Sequence, residues 1–275
     1  MPDDTLLDTP PADPGGVYPV SRNDVYRSVN HDLVTALDLG DDAAVVDLGC
    51  GDGMLSRLLL DRHGEGLRIW AVDPDEAMLA GARAALGDRV GVCAGSAETF
   101  AGLFPPASCD AVVLANSLHL VADRPALYAG VRRVLRPGGL FGLNTSFYEN
   151  AHTVANGTLA LSAYLEARTL AKRRGIEIPP ADPRLAKTLP SAAALADELR
   201  AASFEVICEQ ERSLVMDVEL LQSFVSSPYF AATVFPALDL AVGGALLAEA
   251  VEHVAAKRSK PVERAWLTVV ARRGR

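Results

Sequence analysis

Cysteine is scarce in this sequence, and no pair of cysteines has the spacing of a metal site. Four cysteines occur in 275 residues. There is no Cys-x-x-Cys pair and no nearby histidine at zinc-binding spacing. The four are Cys50, Cys93, Cys109 and Cys208. This usage argues against a disulfide framework, predicts no metal site, and indicates a cytoplasmic, reducing location.

Neither a secretion signal nor a membrane span is expected from this sequence. Residues 1–16 carry aspartates and prolines where a secretion signal has a basic and then an apolar stretch, so they are predicted to form a disordered tail. The one long apolar run, Tyr229 to Val251, contains Pro236, Asp239 and two adjacent glycines, which a lipid-facing helix disfavours. We interpret this run as a buried or lid helix, and we expect no membrane partner.

Positive charge is the third scarcity. The formal net charge is -9 and the isoelectric point is near 5.1. Binding to nucleic-acid phosphates relies on Lys and Arg, so a nucleic-acid partner is disfavoured. Only four of the basic residues are lysine against 22 arginines, in an alanine-rich chain, which is typical of a high-GC bacterial genome. The expected partner is a small-molecule substrate.

Short apolar runs alternate with helical patterns along most of the chain. Apolar residues at four-residue steps predict an amphipathic helix over Asn23–Leu39, and β-branched runs bounded by turn residues predict buried strands. The predicted strands are Ala43–Leu48, Leu67–Val72, Arg89–Ala94, Cys109–Leu114, Leu140–Thr145, Phe204–Glu209 and Trp266–Ala271. The helices between them are Met54–His63, Asp75–Leu86 with Asp75 as N-cap, Asp123–Leu135, Ser191–Ala202, and helices within Val218–Ala256. The alternation predicts an α/β, Rossmann-like, doubly wound and mostly parallel seven-stranded sheet.

The alternation breaks between Glu149 and Pro190. A helical segment ending at Gly175 precedes a proline-rich stretch there, which we interpret as a helical insertion that caps a pocket. The predicted organisation is a disordered tail (1–16), a core with an N-terminal cap helix (17–148), a cap insertion (149–190), and the remainder of the fold with substrate-facing helices (191–275).

A glycine-rich turn is the strongest chemical signal. Gly49, Gly51 and Gly53 follow a predicted buried strand and open a predicted helix, whose first N–H groups are free to face a ligand. The next predicted strand leads to Asp73, twenty positions after Gly53, where a carboxylate can accept bonds from ribose hydroxyls. Strand, turn, helix and carboxylate together indicate a nucleoside ligand. The alternative is a tight turn that binds nothing.

This pattern resembles the class I S-adenosylmethionine (SAM)-dependent methyltransferase superfamily, whose first motif is an acidic residue followed by GxGxG. The resemblance runs from about Leu33 to Ser146. It implies SAM as cofactor, with the methionyl part on the glycine turn, the ribose on Asp73, and adenine beside a loop that here reads Gly95-Ser96-Ala97-Glu98. Ser96 replaces the usual aspartate of that loop. The cofactor-binding residues implied are Asp47, Gly49, Gly51, Gly53, Asp73, Pro74, Met78, Ser96, Ala97, Glu98 and Asn116.

Two further motifs of the resemblance have structural interpretations. Asp110 begins the predicted fourth strand and is interpreted as a satisfied structural residue, not a base. Gly138 and Gly139 are interpreted as a turn without a chemical role.

The candidate catalytic residues follow the fourth and fifth strands. Methyl transfer mainly requires alignment, so a base is dispensable for some acceptors. His119 is the candidate for a proton acceptor, because the carboxyl ends of parallel strands form the ligand edge; its alternative is a packing role. Tyr148 and His152 are candidates to face the substrate, and Tyr18 and Tyr26 are candidates to cover SAM, with a core position as the alternative for Tyr26.

The predicted function is transfer of a methyl group from SAM to a small hydrophobic or aromatic, natural-product-like metabolite. The insertion and the helices after Val218 are rich in apolar and aromatic residues, which suits such a substrate. Three alternatives stay open: a SAM-assisted cyclisation or rearrangement, a nicotinamide-dependent oxidoreductase, and a non-catalytic SAM-binding subunit. The second is disfavoured because Met54 replaces the third glycine of a dinucleotide site. The apolar C-terminal helices suit either a lid or a homodimer face.

Overall fold

Buried β-branched runs form the centre of the molecule, and amphipathic helices cover them. The computed structural model describes residues 24–151, 154–178, 190–226, 231, 234–235, 238–257 and 262–274. The strands are β1 (Ala44–Leu48), β2 (Arg68–Asp73), β3 (Val90–Ala94), β4 (Cys109–Ala115), β5 (Leu135–Thr145), β6 (Phe204–Met216) and β7 (Val262–Arg273). The helices are α1 (Asp24–Ala36), α2 (Met54–His63), α3 (Glu76–Leu86), α4 (Arg124–Val134), α5 (Val154–Arg173), α6 (Ala192–Ala201), α7 (Val218–Val225) and α8 (Leu240–Ala255).

The seven strands form one sheet in the order β3-β2-β1-β4-β5-β7-β6. Strands β1 to β5 pair in parallel, whereas β7 is antiparallel to both of its neighbours, β5 and β6. The predicted Rossmann-like, mostly parallel seven-stranded sheet is therefore confirmed. The strand order reverses at β1, which lies between β2 and β4. Ligands bind outside the carboxyl ends of the strands at such a switch point.

Two apolar layers enclose the sheet because successive residues of a strand face opposite sides. In β1, Val45 packs on the face covered by α1, α2 and α3, while Val46 and Leu48 pack on the face covered by α4 and α6. A third cluster lies at the carboxyl edge of β5, where Tyr26, Phe224 and Trp266 pack with residues of α7 and α8. The sheet thus has an aromatic extension beside the expected ligand edge.

Several predicted boundaries need correction. The apolar run from Tyr229 to Val251 is not one helix: α8 begins at Leu240, because the Asp239 carboxylate accepts from the N–H groups of Ala241 and Val242 and caps it there. Strand β5 starts at Leu135, and the predicted turn at Gly138 and Gly139 is an irregularity within it: the pairing with β4 shifts between Leu135 and Leu140, and Gly138 has a φ of 82°. Strands β6 and β7 are 13 and 12 residues long. They are longer than predicted because their outer halves pair with each other beyond the sheet centre.

The domain organisation stays a prediction. The tail 1–16 lies outside the described residues. Within the predicted cap insertion, α5 packs against α8 through Ala167, Leu170 and Leu246. Among the described residues no helix is long and apolar enough to cross a membrane, and no cluster of potential metal ligands occurs. All four cysteines are free thiols.

Candidate functional site

The glycine turn joins the carboxyl ends of two neighbouring strands. Gly49, Gly51 and Gly53 all adopt positive φ, at 69°, 55° and 90°. The N–H groups of Gly49 and Cys50 both donate to the carbonyl oxygen of Val72, over 2.7 and 3.1 Å. The turn is therefore fixed to the end of β2, and only glycine adopts this backbone without strain.

The three glycines differ in what surrounds them. A Cβ at Gly49 would stand 2.9 Å from Ser117 Oγ, and one at Gly53 would stand 2.6 Å from a methyl carbon of Leu86. Neighbouring side chains therefore leave no room for a Cβ at either position. A turn that binds no ligand would need glycine at these two positions for the same reason. A Cβ at Gly51 would meet nothing within 4 Å. Gly51 therefore presents open backbone at the switch point, where a bound ligand can approach closely.

Asp73 ends β2 directly beside this open backbone. One carboxylate oxygen accepts from the N–H of Gly51 (3.0 Å), and the other accepts from the N–H of Asp75 (2.9 Å). The side chain is only 8% exposed and is held in one orientation. Since each carboxylate oxygen can accept a second hydrogen bond, Asp73 can still receive a pair of hydroxyls. Pro74 is exposed, and Met78 is half-buried in the first turn of α3.

A second carboxylate lies beneath the turn. Asp47 Oδ2 accepts from Ser56 Oγ over 2.7 Å, whereas Asp47 Oδ1 is buried and has no hydrogen-bond partner among the described residues. Burial raises the pKa of Asp47 to about 7; the Ser56 hydrogen bond opposes this, and the charges of Asp73 and Asp52 add to it. This concentration of carboxylates favours a cationic ligand, and SAM carries a sulfonium and an ammonium group. The residues present therefore fit the cofactor that the resemblance implies.

The loop after β3 completes the cofactor side. The N–H of Gly95 donates to the Asp73 carbonyl oxygen (3.1 Å), which ties this loop to the end of β2. The N–H of Ser96 donates to Thr99 Oγ1 (3.0 Å), and Ala97 is half-buried. Hydrogen bonding by Ser96 holds the pKa of Glu98 below its usual value. The predicted cofactor residues on β1, β2 and the β3 loop thus come together at one edge.

Asn116 follows β4 and is the centre of a buried amide network. It adopts a positive φ of 52°, and its N–H donates to Asn144 Oδ1 (2.9 Å). Its side-chain amide donates to Asn30 Oδ1 (3.0 Å), and its side-chain oxygen accepts from Trp266 Nε1 (2.8 Å). Asn144 also donates to Asn30 Oδ1 (2.9 Å) and to the Val29 carbonyl oxygen (3.1 Å). One donor and one acceptor site of the Asn116 side chain are used, so its predicted contact with SAM would use the remaining N–H or lone pair of the amide, or its backbone carbonyl.

Sequence reasoning missed the partners of Asn116. Asn30 lies on the buried side of α1, Asn144 lies inside an apolar strand, and Trp266 belongs to β7. A sequence signal for these partners exists: each is a lone polar residue in an otherwise apolar stripe. Such a residue is buried only when its hydrogen bonds are satisfied, so its presence indicates a buried hydrogen-bond partner.

An aromatic stack adjoins the loop after β4. The His119 ring lies against Phe147 with centroids 3.7 Å apart and planes 20° apart, and Phe147 stacks on Phe224 at 5.3 Å. Phe147 follows β5 and Phe224 belongs to α7, so the stack joins three parts of the chain. His119 is half-buried in this apolar setting. A planar substrate ring would find similar partners here.

The other candidate substrate-facing residues are less favourably placed. Tyr148 is fully buried in the core, where burial and the neighbouring Glu211 raise the pKa of its phenol. The role of Tyr148 at the substrate stays a prediction, and the burial of its side chain does not favour that role. Tyr26 is also buried and packs edge-on against Trp266 (5.8 Å). His152 and Tyr18 lie outside the described residues. Asp110 accepts from the Ala44 N–H (2.8 Å) and pairs with Arg136, in agreement with a structural role.

Comparison with known proteins connects this arrangement to characterised chains. A family described as "Methyltransferase domain" matches residues 45–139. Nocamycin O-methyltransferase of Saccharothrix syringae is 31% identical over 215 residues, which cover 74% of this chain and 73% of that protein. Trans-aconitate 2-methyltransferase of Acidovorax sp. (strain JS42) is 38% identical over 100 residues, which cover 36% of each chain.

A solved structure shares the fold across most of the chain. Phosphoethanolamine N-methyltransferase 2 of Haemonchus contortus, in complex with S-adenosyl-L-methionine, superposes with a TM-score of 0.54 at 16% identity. The alignment covers 90% of this chain and 53% of that chain. At this identity the likeness concerns the fold alone.

Proposed function

Because the chain belongs to the class I SAM-dependent methyltransferase superfamily, we propose that it methylates a small hydrophobic or aromatic metabolite of the natural-product type. One observation carries the proposal. The acidic turn of Asp47 and Asp73 and the aromatic stack of His119 and Phe147 adjoin the ends of neighbouring strands. The first can hold a cationic cofactor, and the second suits an apolar ring.

Each half of the site has a definable task. SAM, when bound, supplies an electrophilic methyl group on its sulfonium. Asp73 would accept bonds from the ribose hydroxyls, and Asp47 would attract the positive charge of the cofactor. Because methyl transfer depends mainly on alignment, the rigid mounting of these carboxylates favours catalysis directly. Phe147 and Phe224 would exclude water and orient the acceptor.

His119 is our candidate for a group that takes up a proton from the acceptor. The Phe147 stack holds its imidazole at the carboxyl edge of the sheet, and imidazole accepts protons near neutral pH. The names of two relatives, nocamycin O-methyltransferase and trans-aconitate 2-methyltransferase, support a small-molecule acceptor.

The test combines cofactor binding with product analysis. Calorimetric titration should give micromolar binding of SAM and S-adenosylhomocysteine and no binding of NADH. Incubation with SAM and a panel of hydrophobic and aromatic metabolites should then give S-adenosylhomocysteine together with a product whose mass has increased by one methyl group. The Asp73→Ala variant should bind SAM roughly tenfold more weakly or worse, because it loses charge-assisted hydrogen bonds. Glu76→Gln, an exposed neighbour, is the matched control.

Three results would contradict the proposal. If neither SAM nor S-adenosylhomocysteine binds, SAM is not the cofactor. Unchanged SAM affinity in Asp73→Ala would remove the ribose role of that residue. A product of unchanged mass would indicate rearrangement instead of methyl transfer.

A further inference from the structure

A groove between α4 and α6 lies apart from the site described above. It has a volume of about 570 Å³ and is lined in part by apolar residues, among them Pro125, Ala129 and Ala201. Arg273, the last residue of β7, also lines it. Because Arg273 pairs with Phe204 at the start of β6, which runs in the same direction as β5, this part of the groove lies at the amino edge of the sheet, opposite the glycine turn. A volume of this size is typical of small-molecule sites, which occupy roughly 300–1,000 Å³.

Three arginines line this groove without a carboxylate partner. Arg132 is exposed in the last turn of α4. Arg133 donates to the carbonyl oxygen of Phe104 (2.9 Å), and Arg273 donates to that of Leu135. The Nε of Arg273 is buried and has no hydrogen-bond partner among the described residues. In the part of the chain that the structure describes, none of the three guanidiniums has a carboxylate within ion-pair distance, so their charges are not neutralised locally.

The acidic residue of the lining, Glu198, is already engaged. Its two carboxylate oxygens accept from the guanidinium of Arg124 over 2.7 and 2.8 Å, and the Tyr128 hydroxyl donates to one of them over 3.0 Å. Glu198 and Arg124 therefore neutralise each other, and the groove keeps an excess of positive charge. The chain as a whole has a formal net charge of -9, so this groove is a local site of attraction for an anion on an acidic protein.

Ser203 adds a hydroxyl to the same groove. It lies just after the C-cap residue of α6, is exposed, and has a positive φ of 64°. Glycine is the usual residue at such a position, because a side chain is strained in this conformation. Among the described residues the Ser203 hydroxyl makes no hydrogen bond. It is therefore available to donate to a ligand in the groove.

A purely structural explanation covers only part of this arrangement. Arg132 and Arg133 lie in the last turn of α4, where cations interact favourably with the helix dipole. That role does not explain Arg273, which belongs to a strand, or a serine where glycine is less strained. The four residues share only the groove that they line.

We propose that this groove is a second ligand site, separate from the cofactor edge, and that it binds a phosphate monoester of a small apolar metabolite. Guanidinium groups match phosphate oxygens in geometry, and three uncompensated charges favour a dianion over a carboxylate with a single charge. Pro125, Ala129 and Ala201 suit the apolar body of such a ligand. The site does not depend on SAM, so this inference stands apart from the proposed function.

The experiment measures calorimetric binding of phenyl phosphate, phenol and inorganic phosphate to the whole chain at physiological ionic strength. Wild type should bind phenyl phosphate with a Kd of about 1 mM or lower, and at least roughly tenfold more tightly than either phenol or inorganic phosphate, because only phenyl phosphate uses both the charged and the apolar lining. Saturation with S-adenosylhomocysteine should not displace it, since the two sites lie at opposite edges of the sheet.

Four variants test the groove. Arg132→Gln changes an exposed side chain and should weaken phenyl phosphate binding roughly fivefold or more without affecting folding, and Arg273→Gln should weaken it at least as much. Ser203→Gly should weaken binding roughly threefold while the midpoint of thermal unfolding does not fall, because glycine adopts this backbone without strain. Arg62→Gln is the matched control: it also lies exposed in the last turn of a helix, α2, and should bind as wild type.

Several outcomes would overturn the inference. A Kd for phenyl phosphate above about 1 mM would remove the site. Equal affinity for phenyl phosphate and inorganic phosphate would reject the assigned class of ligand. Displacement by S-adenosylhomocysteine would place the binding at the cofactor edge. Equal losses in Arg132→Gln and Arg62→Gln would assign the effect to overall charge, and unchanged affinity in both Arg132→Gln and Arg273→Gln would place the anion elsewhere.

Discussion

The side-chain amide of Asn144 donates to the side-chain oxygen of Asn30 over 2.9 Å, across 114 residues of sequence. Through this bond the end of β5 is joined to α1. Asn116 and Trp266 extend the same network to the loop after β4 and to β7. Four distant segments are thus fixed relative to one another directly beside the glycine turn.

Breaking this network should destabilise the protein. Asn144→Leu removes the three hydrogen bonds of the amide, to Asn30 Oδ1, the Val29 carbonyl oxygen and the Asn116 N–H, and should lower the free energy of unfolding by about 1–3 kcal/mol. Denaturant unfolding of the variant measures the loss. Thr35→Ala, on the exposed side of α1, serves as the control.

Substitutions of Asn144 and Asn30, which are joined in this network, should have non-additive effects on the free energy of unfolding. Asn30→Leu should also lower the free energy of unfolding. The double variant should lose less free energy than the two single variants together, because each change removes a partner that the other would leave unsatisfied. Strict additivity of the two losses would contradict the coupling.

Gly51 and Gly87 provide a matched test of ligand contact. Their φ angles are 55° and 57°, and a Cβ at either would meet nothing within 4 Å. Alanine at either position should cost backbone strain because φ is positive, and denaturant unfolding of each variant measures that cost separately from ligand binding. Only Gly51→Ala should weaken SAM binding, roughly tenfold or more, because its methyl group would occupy space that the ligand needs. Equal SAM affinity of both variants in calorimetry would argue against a ligand at the turn.

Asp47 should make stability depend on pH. Its pKa is raised from 3.8 to about 7 in the folded protein. Between these values the folded state retains a proton that the unfolded state has released, so this contribution to stability is present at low pH and is lost as the pH rises through about 7. Thermal unfolding of wild type and Asp47→Asn should diverge in that window, with the pH dependence flatter in the variant. Parallel profiles would refute the assignment.

Cofactor binding should shift the same equilibrium. A cationic ligand favours the charged carboxylate, so SAM binding at about pH 6 should release up to one proton from wild type. Calorimetry in two buffers of different ionisation enthalpy counts the protons. Asp47→Asn should lack this release.

A proton-accepting role for His119 predicts a selective loss of turnover. With an acceptor that must lose a proton, His119→Gln should lower kcat by about a hundredfold to ten-thousandfold, leaving the Kd for SAM unchanged. Phe147→Leu, which removes the stack and retains the imidazole, should have a smaller effect. A His119→Gln enzyme with near wild-type kcat and an unaltered pH profile would assign the residue to packing.

Much of the fold was predictable because local signals and tertiary structure agree. The β-branched residues of β1 are buried throughout, and Asp75 caps α3 as its sequence context predicts. Strand β6 is predictable only at its start, since the exposed polar residues Gln210, Glu211, Arg212 and Ser213 interrupt the apolar run. The insertion of β7 between β5 and β6 was not predictable, because that pairing joins residues far apart in sequence.

The site was predictable to the extent that it lies in a local motif. The turn and Asp73 are predicted from the sequence to serve one nucleoside ligand, and in the structure the Gly51 N–H donates to the Asp73 carboxylate. Their roles toward SAM stay predictions. The amide network is not predictable in this way, because its significance depends on neighbours contributed by other segments. In sequence, Asn144 is simply a polar residue within an apolar strand.

The central position of β7 also affects how the chain reaches this structure. Asn144 pairs with Thr268, so the sheet is completed by closing a loop of more than a hundred residues around β6 and the helices beside it. Until that closure, β5 and β6 each present an unpaired edge, and unpaired edges invite association between chains. The strand that supplies Trp266 to the amide network is thus also the one whose pairing closes the sheet and covers both of these edges.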